Sequence, residues 1–294
     1  MFFKNGLSVE PLKIMQYFFL TISLCFFCET CQNNTMMPLY LIEIFVFIFG
    51  LCIGSFLNVC IYRLPASQSI AHPRSKCPKC GTFIAVYDNI PLLSFAWLKG
   101  RCRHCGTKIG LRYPMVELLA GLLALATFLQ FGLSVEALIY FAFIACLLVV
   151  TFIDLDHRII PDVITLPGIP ICFAASFALP AMTYKTSLLG ILAGGGSLFL
   201  VAWVYSLLTK KEGMGGGDIK LLAMMGALLG WQGVIFTIFV SSLIGTLSGL
   251  AVMLRSHKGM KLAVPFGPFL ALGGITYIFF GTPLIHWYFN LLRP

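Results

Sequence analysis

The chain has 294 residues, of which 59% are hydrophobic and only 11% are charged. A soluble domain usually carries about a quarter charged residues, so this composition excludes an ordinary soluble enzyme and indicates several membrane spans. The formal net charge of +9 is typical of some nucleic-acid-binding proteins, but the positions of the basic residues argue against that class.

The basic residues are concentrated in four breaks between apolar stretches. Nine of the twenty lysines and arginines lie in residues 62–113, and the other breaks surround Arg158, the glycine-rich segment near residue 215, and residues 255–261. Such clustering is the positive-inside signature of cytoplasmic loops. It therefore predicts that these breaks face the cytoplasm and that the protein contacts membrane lipids, with no nucleic-acid partner.

The apolar stretches predict an all-α polytopic membrane protein with about eight transmembrane helices. Each stretch approaches the roughly 20 residues that span a bilayer, although the sixth is short. The predicted spans are 40–61, 114–131, 135–153, 163–181, 187–208, 219–231, 233–254 and 265–286.

The N-terminal extension, residues 1–35, has no single interpretation. Its apolar segment 14–28 is compatible with a signal-like sequence or an extra span. Translation from Met36 or Met37 is the alternative, since either methionine lies just before residue 40, where the span within the first secure transmembrane segment, residues 36–61, begins. Cys25, Cys28 and Cys31 repeat within this segment, and we interpret them as a chance cluster in an apolar helix.

The predicted cytoplasmic loop, residues 62–113, contains two C-x-x-C-G motifs, "CPKCGTFI" and "CRHCGTKI". Their spacing is close to that of zinc sites with four cysteine ligands. Four thiolates complete a tetrahedral zinc shell and leave no position for a reactive water, so the site is predicted to be structural. Two disulfides are the alternative, but they fit poorly with a reducing cytoplasm. The predicted ligands are Cys77, Cys80, Cys102 and Cys105.

Four of the eleven acidic residues lie at the predicted cytoplasmic ends of spans within residues 114–294, which form the predicted transmembrane core. An ionisable group at a span boundary is a candidate functional residue. Asp154 follows an apolar run and is predicted to be functional. We interpret Asp156 as part of a solvated loop and Asp162 as a first-turn helix residue, so both are predicted to be structural.

The fourth acid, Asp218, follows the glycine-rich segment "GMGGGD". This segment lacks the Gly-Lys-Ser/Thr of a phosphate loop and the G-x-G-x-x-G of a dinucleotide loop. Gly215, Gly216 and Gly217 would instead let an extended substrate strand approach Asp218. A simple hinge is the alternative, but it does not explain the acid.

Two carboxylates on separate helices at one membrane face indicate an aspartyl protease. Like charges placed close together share a proton, so one carboxylate activates water while the other protonates the developing oxyanion. We therefore predict that Asp154 and Asp218 form a catalytic pair.

The motifs around these residues resemble those of bacterial type IV prepilin peptidases over residues 38–285. The matching segments are "GSFLNVCIYRLP" (54–65), both cysteine motifs, "NIPLLSF" (89–95), "RYPMVELL" (112–119), "IDLDHRIIPD" (153–162), "EGMGGGDIKLLAMMGA" (212–227) and "PFGPFLALGG" (265–274). The family's catalytic pair matches Asp154 and Asp218, and residues 1–35 match nothing in the family.

This resemblance implies a multi-pass enzyme of the bacterial inner membrane, with its zinc loop and active site facing the cytoplasm. Residues 114–294 would be its transmembrane peptidase core. It would remove the leader from type IV prepilins and type II secretion pseudopilins. It would then N-methylate the new N-terminal residue using S-adenosyl-L-methionine. No residue of the sequence indicates where the methyl donor binds.

Two other functions remain open at this point. One is a different G-x-G-D protease that cuts transmembrane helices, which the zinc loop and the "GSFLNV" motif disfavour. The other is an ion-coupled transporter that uses Asp154 and Asp218 as coupling acids.

Overall fold

The computed structural model describes residues 39–72, 74–210, 215–256 and 265–291. The predicted N-terminal extension, residues 1–35, lies outside this part of the chain. Residues from Ile44 onward form one compact unit, and all contacts described below lie within it.

Helices provide the regular structure of the described residues, and the all-α prediction is confirmed. The described part contains no β-strand beyond two isolated bridges. A 3₁₀ turn, Val86–Asn89, precedes the second helix. The helices of this part are α1 (Leu39–Arg63), α2 (Leu93–Trp97), α3 (Arg112–Phe131), α4 (Val135–His157), α5 (Asp162–Ser176), α6 (Tyr184–Thr209), α7 (Gly216–Ser256) and α8 (Gly267–Leu291).

Six described helices are long and apolar enough to cross a membrane, so the predicted count of eight spans is not confirmed. They are α1, α3, α4, α6, most of α7 and most of α8. The fourth predicted span, 163–181, corresponds to α5, which has only 15 residues. A helix of that length rises about 22 Å and is shorter than the roughly 30 Å hydrocarbon core.

The sixth and seventh predicted spans belong to one element, α7, which is interrupted at Gly230. This residue has φ 72° and ψ 177°, a backbone conformation available almost only to glycine. Two helical segments therefore meet at a kink at Gly230. The break predicted from hydropathy between residues 231 and 233 lies next to this kink.

Small residues allow α1 to pack closely against α3. A Cβ atom added at Gly50 would lie 2.6 Å from the Cβ of Ala124, and one added at Gly54 would lie 2.7 Å from the Cα of Glu117. Gly50 and Gly54 are four residues apart, the spacing that brings helix backbones together in membranes.

Glycines also allow α6 to pack closely against α7. Gly190 and Gly194 lie against the backbone of α7, where Gly226 and Leu222 leave no room for a Cβ atom. The Ser187 hydroxyl donates a hydrogen bond of 2.5 Å to the Ala227 carbonyl across this contact. Close packing and a polar contact together fix the register of α7, the helix that carries Asp218.

The central helix is α4, whose side chains enter both hydrophobic clusters of the protein. Leu147 and Val150 belong to the cluster formed with α5, α7 and α8. Leu148 and Phe152 belong to the cluster formed with α1 and α3. A helix that is apolar on all sides is buried. Because α4 packs in both clusters, its last turn, which carries Asp154, is surrounded by other helices.

Candidate active site

Asp154 lies in the last turn of α4 and is 5% exposed. The helix ends because Arg158 adopts the left-handed conformation, and the Arg158 N–H donates to the Asp154 carbonyl at 2.9 Å. The side-chain Oδ2 accepts a hydrogen bond of 2.9 Å from the backbone N–H of Gly267. Gly267 is the first residue of α8, so the carboxylate is held at a helix N-terminus, where negative charge is stabilised.

Gly267 is a site residue that sequence analysis missed. A Cβ atom at this position would lie 2.6 Å from Asp154 Oδ2, so only glycine permits the observed approach. The segment "PFGPFLALGG" was noted as a motif, but nothing in it indicated a contact with a residue 113 positions earlier.

Asp218 lies half-buried in the first turn of α7, and its N–H donates to the Gly215 carbonyl at 3.3 Å. Its carboxyl interacts electrostatically with that of Asp154. The structure thus brings together the two acids singled out from the sequence, one from the end of α4 and one from the start of α7.

The three predicted loop glycines differ in their surroundings. Gly215 and Gly216 are exposed, and a Cβ atom added at either would meet none of the described residues within 4 Å. Gly217 packs closely, since a Cβ atom there would lie 2.8 Å from the Cβ of Ile160. Bare backbone therefore faces open space just before Asp218. Residues 211–214, the beginning of this loop, lie outside the described residues.

The two acids interpreted as structural each have a cationic partner. Asp156 forms an ion pair with Arg112 at the start of α3. Both carboxylate oxygens of Asp162 lie 2.8 Å from the Lys220 ammonium, which links α5 to α7. Asp162 is the first residue of α5, in agreement with its predicted position.

The four predicted zinc ligands form one cluster. All four Sγ atoms lie within 4.8 Å of one another, and those of Cys77 and Cys105 are 3.9 Å apart. A tetrahedral site with Zn–S bonds of about 2.3 Å separates its sulfurs by about 3.8 Å. The cluster therefore fits a zinc ion, and none of its cysteines is paired as a disulfide.

Each C-x-x-C-G motif folds into the same tight turn. The Gly81 N–H donates to the Cys77 carbonyl and the Gly106 N–H to the Cys102 carbonyl, both at 2.9 Å. Both glycines have positive φ, with open space around them, so conformation rather than packing requires glycine. Hydrogen bonds from Thr82 lower the pKa of the Cys80 thiol to about 6, whereas burial and the neighbouring cysteines raise the pKa of Cys105 to about 11.

One polar contact lies within the cysteine loop, and another attaches the loop to α3. Arg103, next to a cysteine ligand, pairs with Asp88 at 2.5 Å, and hydrogen bonding to Arg103 lowers the pKa of Asp88. The Glu117 carboxylate of α3 accepts a 3.0 Å hydrogen bond from the Leu92 N–H at the start of α2. Sequence analysis did not single out Glu117, because its partner is distant along the chain.

Comparisons with known proteins give a consistent result. A model described as "Bacterial Peptidase A24 N-terminal domain" matches residues 48–131, and one described as "Type IV leader peptidase family" matches residues 141–250. No solved structure matches the chain.

Several curated relatives carry the name "Prepilin leader peptidase/N-methyltransferase". One from Burkholderia pseudomallei is 37% identical, with 81% of this chain and 85% of that protein covered. One from Aeromonas hydrophila is 39% identical, with 83% and 92% covered. One from Myxococcus xanthus is 42% identical, with 77% and 69% covered.

Proposed function

The chain belongs to the type IV leader peptidase family, and on that premise we propose that Asp154 and Asp218 are the catalytic pair of a prepilin peptidase. The enzyme cleaves the leader peptide from prepilins and N-methylates the new N-terminal residue. The observation that carries the catalytic assignment is that two acids from separate helices are near enough to interact electrostatically, and that one of them is held by the N–H of Gly267.

This hydrogen bond holds one of the two proposed catalytic groups in place. The N–H of Gly267 is the donor and Asp154 Oδ2 the acceptor, which orients this carboxyl group. In the proposed mechanism the two carboxyl groups share one proton. The ionised carboxyl takes a proton from water as the water oxygen attacks the scissile carbonyl carbon, and the protonated carboxyl donates to the carbonyl oxygen. Collapse of the tetrahedral intermediate breaks the C–N bond, and the leaving amine takes up a proton.

The open space beside Gly215 and Gly216 supports substrate entry at Asp218. An extended peptide needs backbone that it can approach without side-chain interference. These two exposed glycines provide that surface directly before the acid.

We propose that the cysteine cluster binds a structural zinc ion. Its four sulfur ligands fill a tetrahedral shell, so the ion would fold the loop rather than activate water. S-Adenosyl-L-methionine, which supplies a methyl group activated by its sulfonium, is the methyl donor implied by the relatives' name.

We also propose a location in the bacterial inner membrane with this site facing the cytoplasm. The protein is a multi-pass membrane protein, and the loop between α1 and α3 is strongly basic, as cytoplasmic loops are. The proposed substrates are type IV prepilins and type II secretion pseudopilins, and lipids would surround the exposed apolar faces of the spans.

The direct test is cleavage of a purified prepilin by the purified protein in detergent, followed by mass spectrometry. We expect loss of the leader and, with S-adenosyl-L-methionine present, a further gain equal to one methylene group. A folded, metal-loaded protein that leaves prepilin intact would refute the proposal. Proton movement by that protein in vesicles would then favour the transporter, and cleavage within a transmembrane helix would favour the other protease class.

A further inference from the structure

A cavity of about 380 Å³ lies at the end of α4, close along the helix to Asp154, and no role has been assigned to it. Its walls come from the end of α1 with the following turn, the start of α3, and the end of α4. The volume falls within the range of about 300–1,000 Å³ that is typical of small-molecule sites. The polar lining residues are Asn58, Tyr62, Gln68, Arg112, Tyr113, Asp156 and His157.

The cavity combines opposite charges with aromatic rings. Arg112 and Asp156 form an ion pair at its wall, while Tyr62 and Tyr113 are 64% and 42% exposed. The Asn58 amide donates to the Tyr113 carbonyl at 3.0 Å and thereby holds the start of α3 against α1. A cationic and an anionic group side by side suit a ligand that itself carries both charges.

The cavity and the catalytic pair lie on different sides of the same helix end. Asp154 is directed to Gly267 of α8, whereas Asp156, two residues later, pairs with Arg112 of α3. Two residues turn a helix by about 200° and advance it by about 3 Å. An N-terminus released at Asp154 would thus need to move only around one turn of α4 to reach the cavity.

We propose that this cavity binds the methyl donor S-adenosyl-L-methionine, an inference that rests on the N-methyltransferase part of the proposed function. Arg112 binds the carboxylate of the ligand's methionine portion. Asp156 binds its ammonium group. The tyrosine rings attract the sulfonium cation and contact the adenine ring.

The transfer step balances without any other reactant. The neutral amine nitrogen of the new N-terminus attacks the methyl carbon, and the carbon–sulfur bond breaks with its electron pair remaining on sulfur. The products are a thioether, S-adenosylhomocysteine, and a methylated ammonium group, which loses a proton to His157 or to water.

Equilibrium binding of S-adenosyl-L-methionine to the purified full-length protein provides the first test. We expect Arg112→Gln to weaken binding by about tenfold or more, because a charge-assisted hydrogen bond is lost. Lys220→Gln is the matched control, since it breaks the Lys220–Asp162 pair at the same end of the helices but lies outside the cavity. Equal binding by Arg112→Gln and the wild-type protein, with zinc content and melting temperature preserved, would overturn the assignment.

Ultraviolet cross-linking of labelled S-adenosyl-L-methionine to the wild-type protein provides the second test and needs no variant to fold. We expect labelled peptides from residues 58–68, 112–113 or 156–159. Label confined to another segment overturns the cavity assignment and leaves the methyltransferase function intact. A wild-type protein that binds no donor overturns both, and displacement of the donor by S-adenosylhomocysteine supports both.

Discussion

One backbone N–H orients the Asp154 carboxylate, and the absence of a side chain at Gly267 makes that contact possible. We expect Gly267→Ala to lower the rate of prepilin cleavage by about 10- to 100-fold, because the added Cβ would lie 2.6 Å from Asp154 Oδ2 and a displacement of about 1 Å can cost that much. Gly196→Ala is the control, since a Cβ atom there meets open space. A wild-type rate for Gly267→Ala would show that this hydrogen bond does not position the acid.

The proposed catalytic pair, Asp154 and Asp218, gives a second prediction at the scale of single residues. Asp154→Asn and Asp218→Asn keep side-chain size but cannot exchange a shared proton, so each is expected to abolish cleavage while the protein remains membrane-inserted. The double variant should be no less active than either single variant, because catalytic partners are not additive. Asp162→Asn, which breaks only the pair with Lys220, serves as the control in the same prepilin assay. Substantial cleavage by Asp218→Asn would refute the mechanism.

Some residues of the candidate site could be predicted from the sequence and others could not. The two acids were identified because charge is expensive at the end of an apolar span, and the cysteines because their spacing is specific. Gly267 and Glu117 were not identified, because their partners, Asp154 and Leu92, lie far along the chain. Contacts of that kind depend on helix packing, which hydropathy does not encode.

At the scale of elements, the two cysteine turns depend on a shared centre. We expect Cys77→Ser to remove most of the bound zinc and to lower the free energy of unfolding of the loop by several kcal/mol, because metal binding contributes directly to folding. Zinc content by atomic emission and protease sensitivity of residues 64–111 would measure this. Cys52→Ser is the control, since Cys52 is an exposed residue of α1. Full zinc occupancy in Cys77→Ser would contradict the site.

Element boundaries followed from hydropathy wherever a helix both starts and stops with the apolar run. The predicted first span, 40–61, differs from α1 by one residue at its start and two at its end. The prediction was too long for α5, because apolar residues continue to residue 181 whereas the helix ends at Ser176, shortly before Pro180. The sequence placed a break between 231 and 233 with a span on each side, and the structure places the kink at Gly230.

For the whole molecule, α4 is the element that connects the parts of the reaction. It enters both hydrophobic clusters, and its last turn carries Asp154 toward α8 and Asp156 toward α3. Because α3 also holds the cysteine loop through Glu117, the loop and the cavity are attached to the same pair of helices, α3 and α4, and α4 also carries Asp154. In the proposed function, hydrolysis and methyl transfer use separate residues.

This separation predicts that the two activities can be tested independently. A pilin supplied with its mature N-terminus needs no hydrolysis, and the methyl transfer described above involves neither carboxyl of the pair. We expect both Asp154→Asn and Asp218→Asn to methylate such a pilin at a rate within about threefold of the wild-type rate, although neither cleaves prepilin. Mass spectrometry of the pilin, with a reaction lacking S-adenosyl-L-methionine as the control, measures the outcome. Loss of methylation in both variants would show that the catalytic pair serves both reactions and that the protein has a single site.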